Sequence, residues 1–258
     1  MVGRPGGPLA DAALWSLTVD GVDAITDDYR RVTFGGPGLE KLVYLPGQDL
    51  MLRVPSQQDA VVNRRYTIRR RDPATAGIVV DMVVHGDGPG ARWAAAAAPG
   101  DTLDAIGPRG QTLVHEAADW HLFVGDETAL PGMAAMAEAL APQVPGLMIV
   151  ELPKRAEGHD PEVQPDQDVR VTWIERGDAE PGDADRLVAA VEGVALPPGR
   201  GHAYVAGEMK VVRAVAAALA ARGLERDQIS TKSYWRRGEA NAPHGEPLDP
   251  DRPMRARS

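Results

Sequence analysis

Residues 120–131 read WHLFVGDETALP, and this stretch decides the fold of everything that follows it. Leu122–Val124 is a short continuous apolar run closed by Gly125, which suits a strand buried on both faces. Pro131 sits where a helix would take its first turn, a position at which its missing N–H costs nothing. The same rhythm continues downstream. Leu147–Glu151, Val169–Ile174, Ala203–Ala206 and Ile229–Tyr234 read as strands, and Pro131–Leu140, Asp185–Val191 and Val211–Arg222 as helices. Buried strands alternating with helices predict a Rossmann-like parallel sheet over residues 117–238.

Upstream the period is different. Short β-rich runs at Leu14–Val19, Tyr29–Phe34, Leu50–Val54, Tyr66–Arg69, Ile78–Val84 and Thr102–Ile106 are separated by Gly/Pro turns. Only one helix stands out, Ala91–Ala98, closed by Pro99-Gly100. Six short strands and a helix predict a six-stranded antiparallel β-barrel over residues 12–116. The fold class expected is therefore two-domain, β followed by α/β. The last 20 residues, 239–258, are Pro-rich, charged and aperiodic and read as a flexible tail.

Composition narrows the chemistry. The chain of 258 residues has no cysteine, so thiolate nucleophiles, disulfides and Cys-ligated zinc or iron–sulfur clusters are excluded. Redox chemistry would have to come from an organic cofactor or from iron brought by a substrate. No resident metal site is expected. A net charge of −9 argues against nucleic-acid partners. Without an apolar leader near Met1 or an apolar run of the ~18 residues that span a bilayer, a soluble cytoplasmic protein without membrane insertion is expected, and a monomer. Arginine outnumbers lysine 24 to four, so an arginine signals function only through its position.

Two stretches in the first half carry candidate chemistry. Arg64, Tyr66 and Thr67 near a strand end offer a guanidinium for a pyrophosphate, an aromatic ring, and a hydroxyl for a ring nitrogen. An Arg-rich edge strand with a structural tyrosine is the plainer alternative. His85-Gly86-Asp87-Gly88-Pro89-Gly90-Ala91-Arg92-Trp93 is a glycine-rich turn opening a helix, whose free N–H groups and dipole can seat a pyrophosphate. Trp93 here is either a cofactor contact or a packing anchor.

In the second half, Asp126, Glu127 and Thr128 follow the first strand, and Gly207 and Glu208 end a later one. Both lie where open α/β sheets bind ligands, although no G-x-G-x-x-G fingerprint is present. Lys154 and Arg155, just past the second strand, are either acceptors for the 2′-phosphate of NADP or solvated loop charges. Tyr234-Trp235-Arg236-Arg237 closes the folded part, as a border to a bound cofactor or substrate or as a cap on the core.

In combination, RRYTIRR (64–70), HGDGPGARWA (85–94), PGDTLDAIGPRG (99–110), WHLFVGDETALP (120–131), YVAGE (204–208) and YWRRG (234–238) resemble, in order, the siderophore-interacting protein family. These are flavin-dependent ferric-siderophore reductases of the ferredoxin-reductase-like superfamily. The resemblance implies FAD at Arg64, Tyr66 and Thr67, with Tyr66 and Thr67 at the reacting ring. It implies that His85 and the turn of Gly88, Pro89, Gly90 and Ala91 hold the pyrophosphate side, with Gly86 and Trp93 as further candidate cofactor contacts. It also implies a nicotinamide dinucleotide, NADPH or NADH, lined by Asp126, Glu127, Thr128, Gly207 and Glu208, while Lys154, Arg155 and Trp235 remain further candidate cofactor contacts. YWRRG looks like the ending of the branch that tends to prefer NADPH.

Two positions depart from the pattern: Gly90-Ala91 stands where many relatives carry Ala-Ser, and Met51 where relatives often place a lysine. Arg53, Arg109, Lys232, Arg236 and Arg237 are the candidates for a cationic rim that meets an anionic ferric siderophore. The activity implied is reduction of the chelated Fe(III) by NAD(P)H through FAD. The alternatives are a flavin or quinone reductase on the same scaffold, and a non-catalytic siderophore or flavin carrier.

Overall fold

In the computed structural model, residues 13–56, 60–84, 86 and 88–238 are described. The chain divides into two compact units between Gly110 and Gln111, six residues before the expected boundary at 116/117. The shift has a local cause. The segment after Gly110 is tied to the second unit, the backbone N–H of His115 donating to the Tyr204 hydroxyl at 2.7 Å.

The first unit contains β1 (Leu14–Thr26), β2 (Tyr29–Gly35), β3 (Asp49–Pro55), β4 (Val61–Thr67), β5 (Arg70–Arg71), β6 (Ile78–Val83), helix α1 (Pro89–Ala96) and β7 (Thr102–Arg109). All pairings are antiparallel, in the order β4-β3-β7-β1-β2-β6-β5. That makes seven strands where six were expected, because one run is split. The two edge strands, β4 and β5, are separated only by Ile68 and Arg69. Ile68 N–H donates to Gln48 O, beside β3, and Arg69 N–H to Val79 O on β6. One bent stretch of chain therefore pairs first with one end of the sheet and then with the other, which makes the sheet barrel-like.

β1 is twice the expected length because Asp20-Gly21 does not turn the chain. The register jumps from Val19–Phe34 to Gly21–Thr33, leaving Asp20 as the extra residue of a bulge, so one strand pairs with β7 through its first half and β2 through its second. The interior is filled by the alternate residues the pleat turns inward, among them Leu17, Val32, Phe34, Leu50, Leu52, Val80 and Met82.

The second unit contains β8 (His121–Asp126), α2 (Leu130–Glu138), β9 (Gly146–Leu152), β10 (Val169–Glu175), α3 (Asp185–Gly193), β11 (His202–Glu208), α4 (Met209–Ala221) and β12 (Ile229–Trp235). Its five strands are parallel, in the order β10-β9-β8-β11-β12. The order reverses between β8 and β11, and open α/β sheets bind ligands in the crevice beyond the carboxyl ends of such a pair. β8 and β9 are buried along their whole length, which is why they read as continuous apolar runs. Gly125 is needed here: a Cβ on it would strike the Ala206 carbonyl of β11. Among the described residues, no helix is long and apolar enough to cross a membrane.

Candidate functional site

Each unit brings one group of candidate residues together. In the first, β4 lies against β3 with Arg64 opposite Leu52 and Tyr66 opposite Leu50, so both side chains leave the strand on the face of the core leucines. Tyr66 packs against that core, and burial pushes its phenol up to about 12, leaving a neutral O–H at any physiological pH. Thr67, the last residue of β4, is buried.

Helix α1 arrives at the same place. A Cβ built on Gly90 would overlap the Tyr66 hydroxyl and lie 3.4 Å from Cγ of Arg64. The first turn of α1 therefore rests directly on Arg64 and Tyr66. Gly88 as N-cap has no side chain to offer the helix amides, Pro89 occupies the first turn, and no acid stands there. An uncapped helix start beside a guanidinium favours an anion. Gly86 has φ +68°, a left-handed conformation that favours glycine. His85 and Asp87 lie outside the described residues. Trp93 stacks on Phe34 with ring centroids 6.0 Å apart and packs against the core, so the structure gives it the anchoring role.

The next residue along, Arg65, points elsewhere. It makes a two-pronged ion pair with Asp49, at 2.9 and 2.5 Å, on a carboxylate that is 1% exposed. Asp81 is a second buried hub, receiving Arg31 at 2.8 and 2.9 Å and the Tyr29 hydroxyl at 3.4 Å, with Arg69 at 3.9 Å. Sequence reading missed both hubs. The partners are 12 to 52 residues apart, and no local pattern marks them.

In the second unit, Asp126, Glu127, Thr128, Gly207, Glu208 and Trp235 do gather at the carboxyl edge of the sheet, but three carboxylates among them are already committed. Asp126 accepts from Thr128 N (2.9 Å), Thr128 Oγ1 (2.5 Å), Glu208 N (3.0 Å) and Trp235 Nε1 (2.9 Å). Glu127 holds Arg176 in a buried two-pronged ion pair at 2.8 and 2.5 Å. Glu208 caps α4 by accepting from Lys210 N (2.5 Å) and Val211 N (3.0 Å), and its other oxygen accepts from Arg237 N (3.2 Å). Expected to line a ligand, these three side chains instead tie the edge together. Burial, with Glu127 beside it, pushes Asp126 up to about 6.

The cation candidates also separate. Arg155 is held by Asp160 at 3.0 and 2.8 Å and lies over the Trp173 ring, so its charge is already matched; Lys154 is exposed just past β9. Lys232, expected on a solvent-facing rim, is 2% exposed, with its ammonium 5.1 Å from the centre of the Tyr234 ring. It alternates inward on β12, and burial removes it from any surface rim. Arg53 pairs with Asp104 at 3.3 Å in the open. Arg109 reaches the Met51 sulfur at 3.2 Å, and Arg236 the Met209 sulfur at the same distance. Arg237 pairs with Glu180 at 3.6 Å. At the opposite, amino end of the sheet, His121 and His202 sit side by side with Tyr204, and burial pushes both imidazoles down to about 4.

Comparison with known proteins places this geometry in a lineage. The family described as Siderophore-interacting protein matches residues 118–238, and the Siderophore-interacting FAD-binding domain matches residues 43–112. The ferric vibriobactin reductase ViuB of Vibrio cholerae is 35% identical over 183 residues, 69% of this chain and 66% of ViuB. An NADPH-dependent ferric-chelate reductase of Escherichia coli is 24% identical over 87% of this chain and 94% of that protein. The chain thus spans just under two thirds, 65% to 66%, of curated relatives that are 35% to 38% identical to it. A solved siderophore utilization protein from T. fusca superposes with a TM-score of 0.81 at 32% identity, covering 92% of this chain and 97% of that one. The six ordered motifs and these matches agree: the chain belongs to the siderophore-interacting protein family.

Proposed function

We propose that the protein is an FAD-dependent NAD(P)H:ferric-siderophore oxidoreductase. The observation that carries the reading is the seating of α1 on β4, where Gly90 lets the helix start meet Arg64 and Tyr66. This cradle fits a flavin dinucleotide: an uncapped, acid-free helix start and a guanidinium for the diphosphate, an aromatic ring and a hydroxyl for the ring system. Arg64 would hold the diphosphate against the amides of Gly90 and Ala91. Tyr66 and Thr67 would orient the ring. Bound there, FAD supplies two-electron acceptance from a hydride and one-electron delivery to iron.

The carboxyl edge between β8 and β11 is the matching place for the dinucleotide, with Thr128, Gly207 and Trp235 at its rim. The reaction balances as one NAD(P)H oxidised to NAD(P)+, two Fe(III) chelates reduced to Fe(II), and one proton released to solvent. Hard oxygen ligands hold Fe(II) less tightly, so reduction releases the metal. Of the two rim candidates in the first unit, Arg109, half-buried with a thioether as its neighbour, is better placed to meet an anionic chelate than Arg53, whose charge is matched by Asp104. The ferric-reductase names of ViuB and the E. coli relative support the same assignment.

The test is to supply NADH or NADPH to the FAD-loaded protein with a ferric chelate and trap Fe(II) with a ferrous-specific dye. Two Fe(II) per dinucleotide is expected. Equal or faster turnover with free flavins or quinones would instead mark a general flavin or quinone reductase. Tight chelate binding without dinucleotide oxidation would mark a carrier.

A further inference from the structure

Asp126 ends β8 and Gly207-Glu208 ends β11, the two strands between which the sheet order reverses. A carboxylate has about four acceptor positions. Those of Asp126 are filled by donors from three separate stretches of chain: Thr128 N and Oγ1 on the turn after β8, Glu208 N at the end of β11, and the Trp235 indole at the end of β12. Gly207 has φ +130°, and a Cβ there would run into the Asp126 carboxylate, so this approach leaves no room for a side chain.

We propose that Asp126 is a positioning residue for the dinucleotide: it touches no ligand, and it holds the turn after β8, the end of β11 and the Trp235 ring in the one arrangement that receives the nicotinamide nucleotide. The inference rests on the functional reading above.

Its charge is the working part. Four donors converge on a buried anion, and charge-assisted hydrogen bonds are roughly twice as strong as neutral ones. Protonation turns one acceptor oxygen into a donor facing two N–H groups or a hydroxyl, and the arrangement loosens. The charged groups on the adjoining elements are Glu127 on the same turn, Arg176 after β10, Glu151 near the end of β9, Arg186 on α3, Glu208 at the end of β11, and Lys232 with Arg236 and Arg237 on and just past β12. With Asp126 raised to about 6, capture of the dinucleotide weakens as pH falls through that value.

The experiment compares wild type, Asp126→Asn and Trp235→Phe. Anaerobic reduction of the bound flavin by subsaturating NADH or NADPH is expected to slow by about tenfold to a hundredfold in Asp126→Asn, with FAD content retained. Trp235→Phe keeps a ring but removes one donor that favours the anion, so the acid limb of dinucleotide capture moves to higher pH. A readout free of turnover is the Trp235 indole N–H resonance. It is expected to titrate near pH 6 in wild type and to stand still in Asp126→Asn.

If wild-type flavin is bleached and Asp126→Asn matches it with the same acid limb, the positioning role is wrong. If the indole resonance stays fixed from about pH 5 to 7, it is equally wrong. If neither dinucleotide bleaches wild-type flavin, the functional reading itself fails and takes this role with it. Should Asp126→Asn not fold, Trp235→Phe and the wild-type resonance decide.

Discussion

At the scale of single residues, the close contact at Gly90 has the sharpest consequence. Gly90→Val pushes the Tyr66 ring out of place and separates α1 from Arg64, and FAD affinity is expected to drop more than about tenfold by calorimetric titration. Gly193→Ala, at the end of α3 with open space around it, should leave that affinity unchanged. Glu127 makes the opposite point. Glu127→Gln leaves Arg176 buried without its counter-charge, at a cost of about 3 kcal/mol measured by denaturant unfolding. That Arg64 and Tyr66 sit near a strand end and that a glycine-rich turn opens a helix was legible in the sequence, because both are local signals, although α1 starts two residues before the expected Ala91. What Asp126, Glu127, Glu208 and Lys232 do was not legible. Arg176 on Glu127, Trp235 and Glu208 N on Asp126, and Arg237 N on Glu208 lie 29 to 109 residues away, and a carboxylate that holds a turn together has the same letters as one that holds a ligand.

At the scale of elements, the amino edge of the parallel sheet carries its own pH dependence. His121 and His202 open neighbouring strands β8 and β11, buried against Tyr204, with His115 stacked on His202. Their folded-state values near 4 lie below the ordinary value near 6.5, so the unfolded chain takes up protons first. The stability that the neutral rings contribute is full above pH 6.5 and is lost as pH falls towards 4. Asp126 acts in the opposite sense over about the same interval, because its folded value is raised. The histidine part is therefore read as a difference. The stability gap between wild type and His202→Asn should shrink between pH 6.5 and 4 in parallel denaturant melts. A gap that stays constant would mean the ring is not buried neutral.

The elements themselves were largely legible, since alternation marks half-buried strands and continuous apolar runs mark β8 and β9. The exceptions have causes. Asp20-Gly21 makes a bulge where a turn was expected, the run after Val61 bends to serve both ends of the sheet, and α1 starts at Pro89 because proline suits the first turn.

At the scale of the whole molecule, the change of period near residue 120 announces two units, and the parallel order with its reversal between β8 and β11 follows from alternating strands and helices. The boundary moved because residues after Gly110 bond to β11, a long-range tie that no linker composition reveals. The central claim is that the first unit carries FAD, reducible by a nicotinamide dinucleotide and reoxidised by ferric chelates. One anaerobic titration tests it most directly, following flavin absorbance as NADH or NADPH is added and then a ferric hydroxamate or catecholate. The account predicts bleaching by the dinucleotide and recovery of the yellow colour on addition of the ferric chelate, with two iron atoms reduced per flavin. A protein that takes up no FAD, or whose bleached flavin stays bleached in the presence of ferric chelate, would contradict it.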